Sequence, residues 1–198
     1  MFFGTLDELK RDGIKDARLH ALLDQLEDTG LDKVFFRKRI EVQRIGASER
    51  GPLHVIKIDS RILLVKAYQT PDEPDAAQKA SDLGVSPTII KRGRSSMAEE
   101  FLQGEPLTAP PDEYGRELGL LYRVLHSNGV AYGSDIKQDH VLSTERGVKL
   151  IDFGCSRMTN DQRELEEDTQ TAIEFLKKLF GMHGDLAASS FMDAYASE

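Results

Sequence analysis

The chain has 198 residues, and its 26 Lys and Arg against 34 Asp and Glu give a formal net charge of −8, which argues against broad, nonspecific binding to a phosphate backbone. An apolar fraction of 39% with scattered aromatics fits a folded protein, either one compact domain or two small lobes sharing a cleft. The single cysteine, Cys155, excludes an intramolecular disulfide and a cysteine-cluster metal site, and no apolar run approaches the roughly 20 residues of a membrane span.

The opening reads as helical. Thr5 and Glu8 form a capping-box pattern, and DARLHALLDQLEDTG sets Leu19, Leu22, Leu23 and Leu26 on one face before Gly30. The start MFFGTLDELKRDG has no basic head followed by a long apolar stretch, so it does not read as a secretory signal. From Val34 the period changes. VFFRKRIEVQRIG, PLHVIKID and RILLVKAY are short, β-branched and alternating, which predicts a three-stranded antiparallel meander. A short helix is expected in DEPDAAQKASDLG, capped by Gly84, followed by two strands paired through a turn at Gly93.

After TAPPDE comes an amphipathic helix with Leu118, Leu121 and Leu125 on one face, ending near Gly129. HVLST and GVKLIDFG predict strands joined at Gly147, and two final helices are expected in RELEEDTQTAIEFLKKLFG and AASSFMDAYA. Strands dominate to about residue 103 and helices afterwards, an α+β plan. The expected divisions are a helical extension over 1–39, a β-rich lobe over 40–103 and a helical lobe over 104–198. The extension is either a docking surface for a partner protein or a layer packed on the β-rich lobe. Two basic stretches, FRKR at Phe36–Arg39 and IIKRGR ending at Arg94, are either nucleic-acid contacts or solvated strand edges.

Four groups of residues carry chemistry. Gly46, Ser48 and Gly51 bracket a turn whose small residues would let main-chain N–H groups approach phosphate oxygens; glycines are also ordinary in hairpin turns. Lys66 ends an apolar run and points either to solvent or into a cleft toward the lobe below. Asp135 and Asp152 follow turns beside strands, a placement suited to orienting a hydroxyl and to holding a divalent ion. Lys137, two residues beyond Asp135, is placed to neutralise a migrating phosphoryl group.

In chain order these parts, Gly46-x-Ser48-x-x-Gly51, Lys66, Asp135-x-Lys137 and Asp152-Phe153-Gly154, resemble the protein-kinase superfamily from about residue 40 to the end. The resemblance implies a two-lobed fold and ATP with a magnesium ion as cofactors. It implies phosphate contacts from the glycine loop and Lys66, and main-chain bonds to adenine from Glu99 and Phe101 in MAEEFLQGEPL. Asp135 would be the catalytic aspartate and Asp152 the metal ligand. Glu73 is the first choice for the carboxylate paired with Lys66, and Asp75 the second. Some fourteen residues separate Gly154 from EEDTQTAIEFLKKL with no Ala-Pro-Glu, so the helical lobe lacks a full activation segment. That narrows the resemblance to minimal kinases, notably the small kinase/ATPase of the KEOPS complex. By that likeness Asp168 braces the catalytic loop; read from the residues alone, it is an acid in the first turn of a helix.

The departures are specific. Tyr132, Gly133 and Ser134 stand where a histidine or arginine usually precedes the catalytic aspartate. His140 stands five residues after Asp135, where an asparagine usually binds a second magnesium ion, and magnesium prefers oxygen donors. A single tightly held metal, a preference for manganese, or weak catalysis each follow from that exchange, and Asp139 beside it is a further oxygen source. The expected function is that of an ATP-dependent atypical serine/threonine kinase, autophosphorylating or hydrolysing ATP, in the cytoplasm and away from membranes. The acceptor is a protein or a small hydroxyl compound. The alternatives are a small-molecule phosphotransferase like the aminoglycoside and choline kinases, and an ATP-binding pseudokinase acting through a partner.

Overall fold

A computed structural model describes residues 1–13, 17–35, 38–48 and 51–197. The fold is α+β, and its contacts divide it into two units. One is Met1–Pro74 with Thr88–Phe101; the other is Asp75–Pro87 with Leu102–Glu198. The division expected at 39 and 103 is therefore drawn differently. The first 39 residues belong with the strands that follow them, because their apolar side chains and one unexpected strand complete the same sheet and core.

That sheet has six antiparallel strands: β1 (Phe2–Thr5), β2 (Arg39–Ser48), β3 (Gly51–Ile58), β4 (Arg61–Ala67), β5 (Ile89–Arg92) and β6 (Ser96–Glu100). Their order is β1-β2-β3-β4-β6-β5, so the predicted meander is β2 to β4 and the predicted pair through Gly93 is β5 and β6. Strand β1 is too short to show an alternation. The capping box behind it forms: Thr5 N–H donates to Glu8 Oε2 at 2.7 Å and Glu8 N–H to Thr5 Oγ1 at 3.3 Å, opening α1 (Leu6–Gly13). Leu22 and Leu26 of α2 (Ala17–Thr29) are fully buried in a core shared with Leu9, Ile40, Ile56 and Val65. Gly30, at φ 71, turns the chain into α3 (Leu31–Val34). Phe36 and Arg37 of the first basic stretch, and Glu49 and Arg50 at the tip between β2 and β3, lie outside the described residues.

Asp28 fastens α2 to the β5–β6 turn. It accepts from Arg94 N–H and Ser95 N–H, each at 3.0 Å, and from Ser96 Oγ at 2.6 Å. Burial works to raise its carboxyl, but the bonds from Ser96, Ser95 and Arg94 outweigh it and hold the group below its ordinary value. The stability this group contributes is therefore present above the ordinary carboxylate pKa and is lost as pH falls through the lowered one. Gly93 makes room for the arrangement: a Cβ there would lie 2.5 Å from the Asp28 carbonyl oxygen and against its carboxylate. Gly93→Ala should cost about 1–3 kcal/mol in urea denaturation. Its effect should be strongly non-additive with Asp28→Ala, since both break one contact. Additive losses would disconnect the glycine from the acid.

Helix α4 (Glu73–Asp82) starts in the first unit and continues in the second, with Pro74 in its first turn. The second unit then holds β7 (Glu105–Pro106), α5 (Pro111–His126), β8 (Val130–Ala131), β9 (Val141–Thr144), β10 (Gly147–Leu150), β11 (Arg157–Met158), α6 (Gln162–Phe180) and α7 (Gly184–Ala196). Two small antiparallel sheets, β10-β9-β7 and β11-β8, bracket the loop that carries Asp135 and Lys137. Helices α5 and α7 approach closely because Gly115 and Gly119 lie one turn apart. A Cβ at either would strike the carbonyl of Ala187 or of Phe191. Among the described residues no helix is long and apolar enough to cross a membrane.

Candidate active site

In the second unit, the loop from Ala131 to Val141 is fixed from behind by one carboxylate. Asp168, buried on α6, accepts from Tyr132 N–H at 2.7 Å and Gly133 N–H at 2.8 Å. It also faces His126 Nε2 at 2.9 Å, and His126 Nδ1 lies 2.8 Å from the Tyr195 hydroxyl. A carboxylate only accepts, so His126 donates through Nε2, and its Nδ1 shares a second bond with the Tyr195 hydroxyl. A single relay thus runs from α7 through α5 to the loop. Gly133, at φ 101, is required where it stands, because a Cβ would enter the Cys155 carbonyl.

The loop delivers three side chains, Asp135, Lys137 and His140, to one place beside Asp152. Lys137 Nζ lies 2.8 Å from Asp135 Oδ1 and 2.9 Å from Oδ2, and its ammonium is held above its ordinary pKa first by that hydrogen bond. His140 is buried in a short 3-10 turn, Gln138–His140, with its Nε2 3.8 Å from Asp152 Oδ2. Among the described residues, Asp135, His140 and Asp152 can each present one ligand atom, all within 4.8 Å of one another. Asp139 is exposed and outside that group. Asp152 has φ 60, a left-handed backbone uncommon outside glycine, and its Oδ1 accepts from Gly154 N–H at 3.4 Å. Phe153 behind it is buried edge-on against Tyr132, with ring centroids 5.2 Å apart.

Tyr132, which the sequence shows only as a departure, ties this group together. Its hydroxyl lies 2.6 Å from the Ile151 carbonyl and 3.0 Å from His140 Nδ1, and its main-chain carbonyl accepts from Ser156 Oγ at 2.7 Å. Burial, and then the charges of Asp152, Asp135 and Asp168, push the phenol well above its ordinary pKa, so it stays protonated. Ile151 N–H donates in turn to the His140 carbonyl at 2.9 Å. Ile151, the residue before Asp152, therefore meets His140 directly at its main chain and, through the Tyr132 hydroxyl, at its ring.

In the first unit, Lys66 is 3% exposed on β4 and lies 3.0 Å from Glu73 Oε1, while Glu73 Oε2 accepts from Gln69 N–H at 2.5 Å. Of the two acids offered by the sequence, Glu73 is the one at the lysine; Asp75 is exposed. A second carboxylate was not foreseen: Glu99 Oε1 lies 3.9 Å from the same ammonium and is buried. The register explains it. Leu64 pairs with Glu99 and Lys66 with Met97, so Glu99 and Lys66 share one face of the sheet.

Glu99 lies in β6, between β4 and β5, and Phe101 directly follows that strand, its N–H donating to the Ile62 carbonyl at 3.0 Å. Gly46 and Ser48 end β2 and Gly51 begins β3; Gly46 pairs with Leu53 and Ser48 with Gly51, after a register shift between Arg44 and Gly46. All three stand in the β2–β3 hairpin ladder.

The donor set at Asp135, His140 and Asp152, two carboxylates and an imidazole, fits a divalent cation. Comparison of the chain with protein-family models gives no match, and comparison with curated proteins gives none either.

Proposed function

We propose that the chain is an ATP-dependent phosphotransferase, an atypical serine/threonine kinase of two-lobed, kinase-like design. One observation carries the reading most: a loop latched by a buried aspartate presents Asp135 and Lys137 beside Asp152 and His140, an acid, a cation and a metal-competent pair. The buried pair of Lys66 and Glu73 supports it independently.

In this reading Asp135 receives the proton of an acceptor hydroxyl as the hydroxyl oxygen bonds to the γ-phosphorus. The bond from that phosphorus to the β–γ bridging oxygen breaks, and ADP leaves with the bridging oxygen. Lys137 offsets charge on the transferred group, and Lys66, steadied by Glu73, does the same for the nucleotide phosphates. Asp152 and His140 would hold a magnesium or manganese ion, which neutralises phosphate charge when bound.

The full-length protein incubated with γ-labelled ATP and either ion should label itself or a generic hydroxyl acceptor. Asp135→Ala and Asp152→Ala should each reduce labelling by about 10²–10⁴-fold. Phosphate release with no acceptor labelled would recast the protein as an ATPase. Tight ATP binding with neither product would leave only a nucleotide-binding module.

A further inference from the structure

We propose that Tyr132 is a positioning residue that locks His140 in the Nδ1–H tautomer, so that Nε2 joins Asp135 and Asp152 in a site selecting a transition-metal ion such as Mn²⁺ over Mg²⁺. The argument is a count of protons. The Tyr132 hydroxyl has one hydrogen and two neighbours within bonding distance, the Ile151 carbonyl at 2.6 Å and His140 Nδ1 at 3.0 Å. A carbonyl oxygen can only accept, so the hydroxyl's hydrogen goes to Ile151. The phenol oxygen must then accept from His140, which places that ring's hydrogen on Nδ1. In the neutral ring, the form that ligates a metal, the remaining nitrogen, Nε2, carries the lone pair, and it is the one that lies 3.8 Å from Asp152 Oδ2.

A ligating histidine ordinarily donates its other ring N–H to a fixed acceptor that sets the tautomer and the ring's orientation. Here the acceptor is a buried phenol, itself anchored through Ile151, the residue before Asp152. Asp135 remains able to take part while it holds Lys137, since each carboxylate oxygen has a second lone pair. An imidazole nitrogen suits manganese, iron or zinc better than magnesium, which keeps to oxygen. The inference deepens the phosphotransferase reading and rests on it only for the purpose of the ion, because binding is measurable without nucleotide.

Two measurements on the intact protein test it. Long-range ¹H–¹⁵N spectra should show the wild-type His140 ring protonated at Nδ1; a hydrogen on Nε2 would overturn the proposal, even if every variant failed to fold. Titrating Mn²⁺ against the protein by the resonance of the free ion, and Mg²⁺ by calorimetry, should show Mn²⁺ bound more tightly. His140→Asn should erase that preference. Tyr132→Phe, which keeps the ring and the main-chain bonds, should weaken Mn²⁺ binding by about 10–100-fold with less effect on Mg²⁺. Equal Mn²⁺ affinity in wild type and either variant would sink the proposal. Mn²⁺ selectivity as expected with no phosphoryl transfer would overturn the phosphotransferase reading alone. Transfer supported equally by both ions, with no selective binding, would overturn the ion site alone.

Discussion

Replacing Asp168 by alanine should destabilise the second unit by about 3–5 kcal/mol, the usual loss when a buried charge with several bonds is removed. Three donors depend on that carboxylate: Tyr132 N–H, Gly133 N–H and His126 Nε2. Each would be left buried without its acceptor. Asp168→Asn should recover only part of the loss. One oxygen remains, and the amide NH₂ would face a donor where Oδ2 accepts from both Tyr132 and His126. Urea denaturation reads the stability. Hydrogen exchange at the Tyr132 and Gly133 amides reads the loop, and both should lose protection in the alanine variant. Retained protection would mean that the sheets flanking the loop, rather than α6, hold it in place.

Lys66→Met should cost a similar amount, about 3–5 kcal/mol, in the first unit. The lysine is the ammonium beside two buried carboxylates, Glu73 and Glu99, and methionine would fill its volume without its charge. Adding Glu99→Met should return part of the loss, because it removes one of the stranded acids from the same face of the sheet. A partial recovery is the distinctive result, since a second core substitution in an unrelated place would only add to the damage. Unchanged urea midpoints in Lys66→Met would show that the pair contributes nothing measurable.

Much of the fold was legible because its signals are local. The alternation in PLHVIKID and RILLVKAY, the capping box at Thr5 and Glu8, and the leucine face of α5 each report a period or a pair a few residues apart. Strands β1, β8 and β11 were not legible. At two to four residues they are too short for a period, and only their partners define them. The candidate site divides the same way. Asp135, Lys137, His140 and Asp152 stand out by their order along the chain. The role of Tyr132 depends on where one phenol's hydrogen goes, and the position of Glu99 on a register between strands some thirty residues apart. Tyr195, which closes the relay through His126, gave no signal at all; it lies 69 residues further along the chain.

The backbone at Asp152 has a consequence for how the protein can change. A left-handed conformation costs an ordinary side chain roughly 1–2 kcal/mol relative to glycine, and aspartate somewhat less. Glycine at 152 would relax the turn and remove the carboxylate in a single step. Stability and the ion site therefore compete at one codon: a population selected only for thermal resistance would drift toward glycine there, and one required to keep the divalent ion would not.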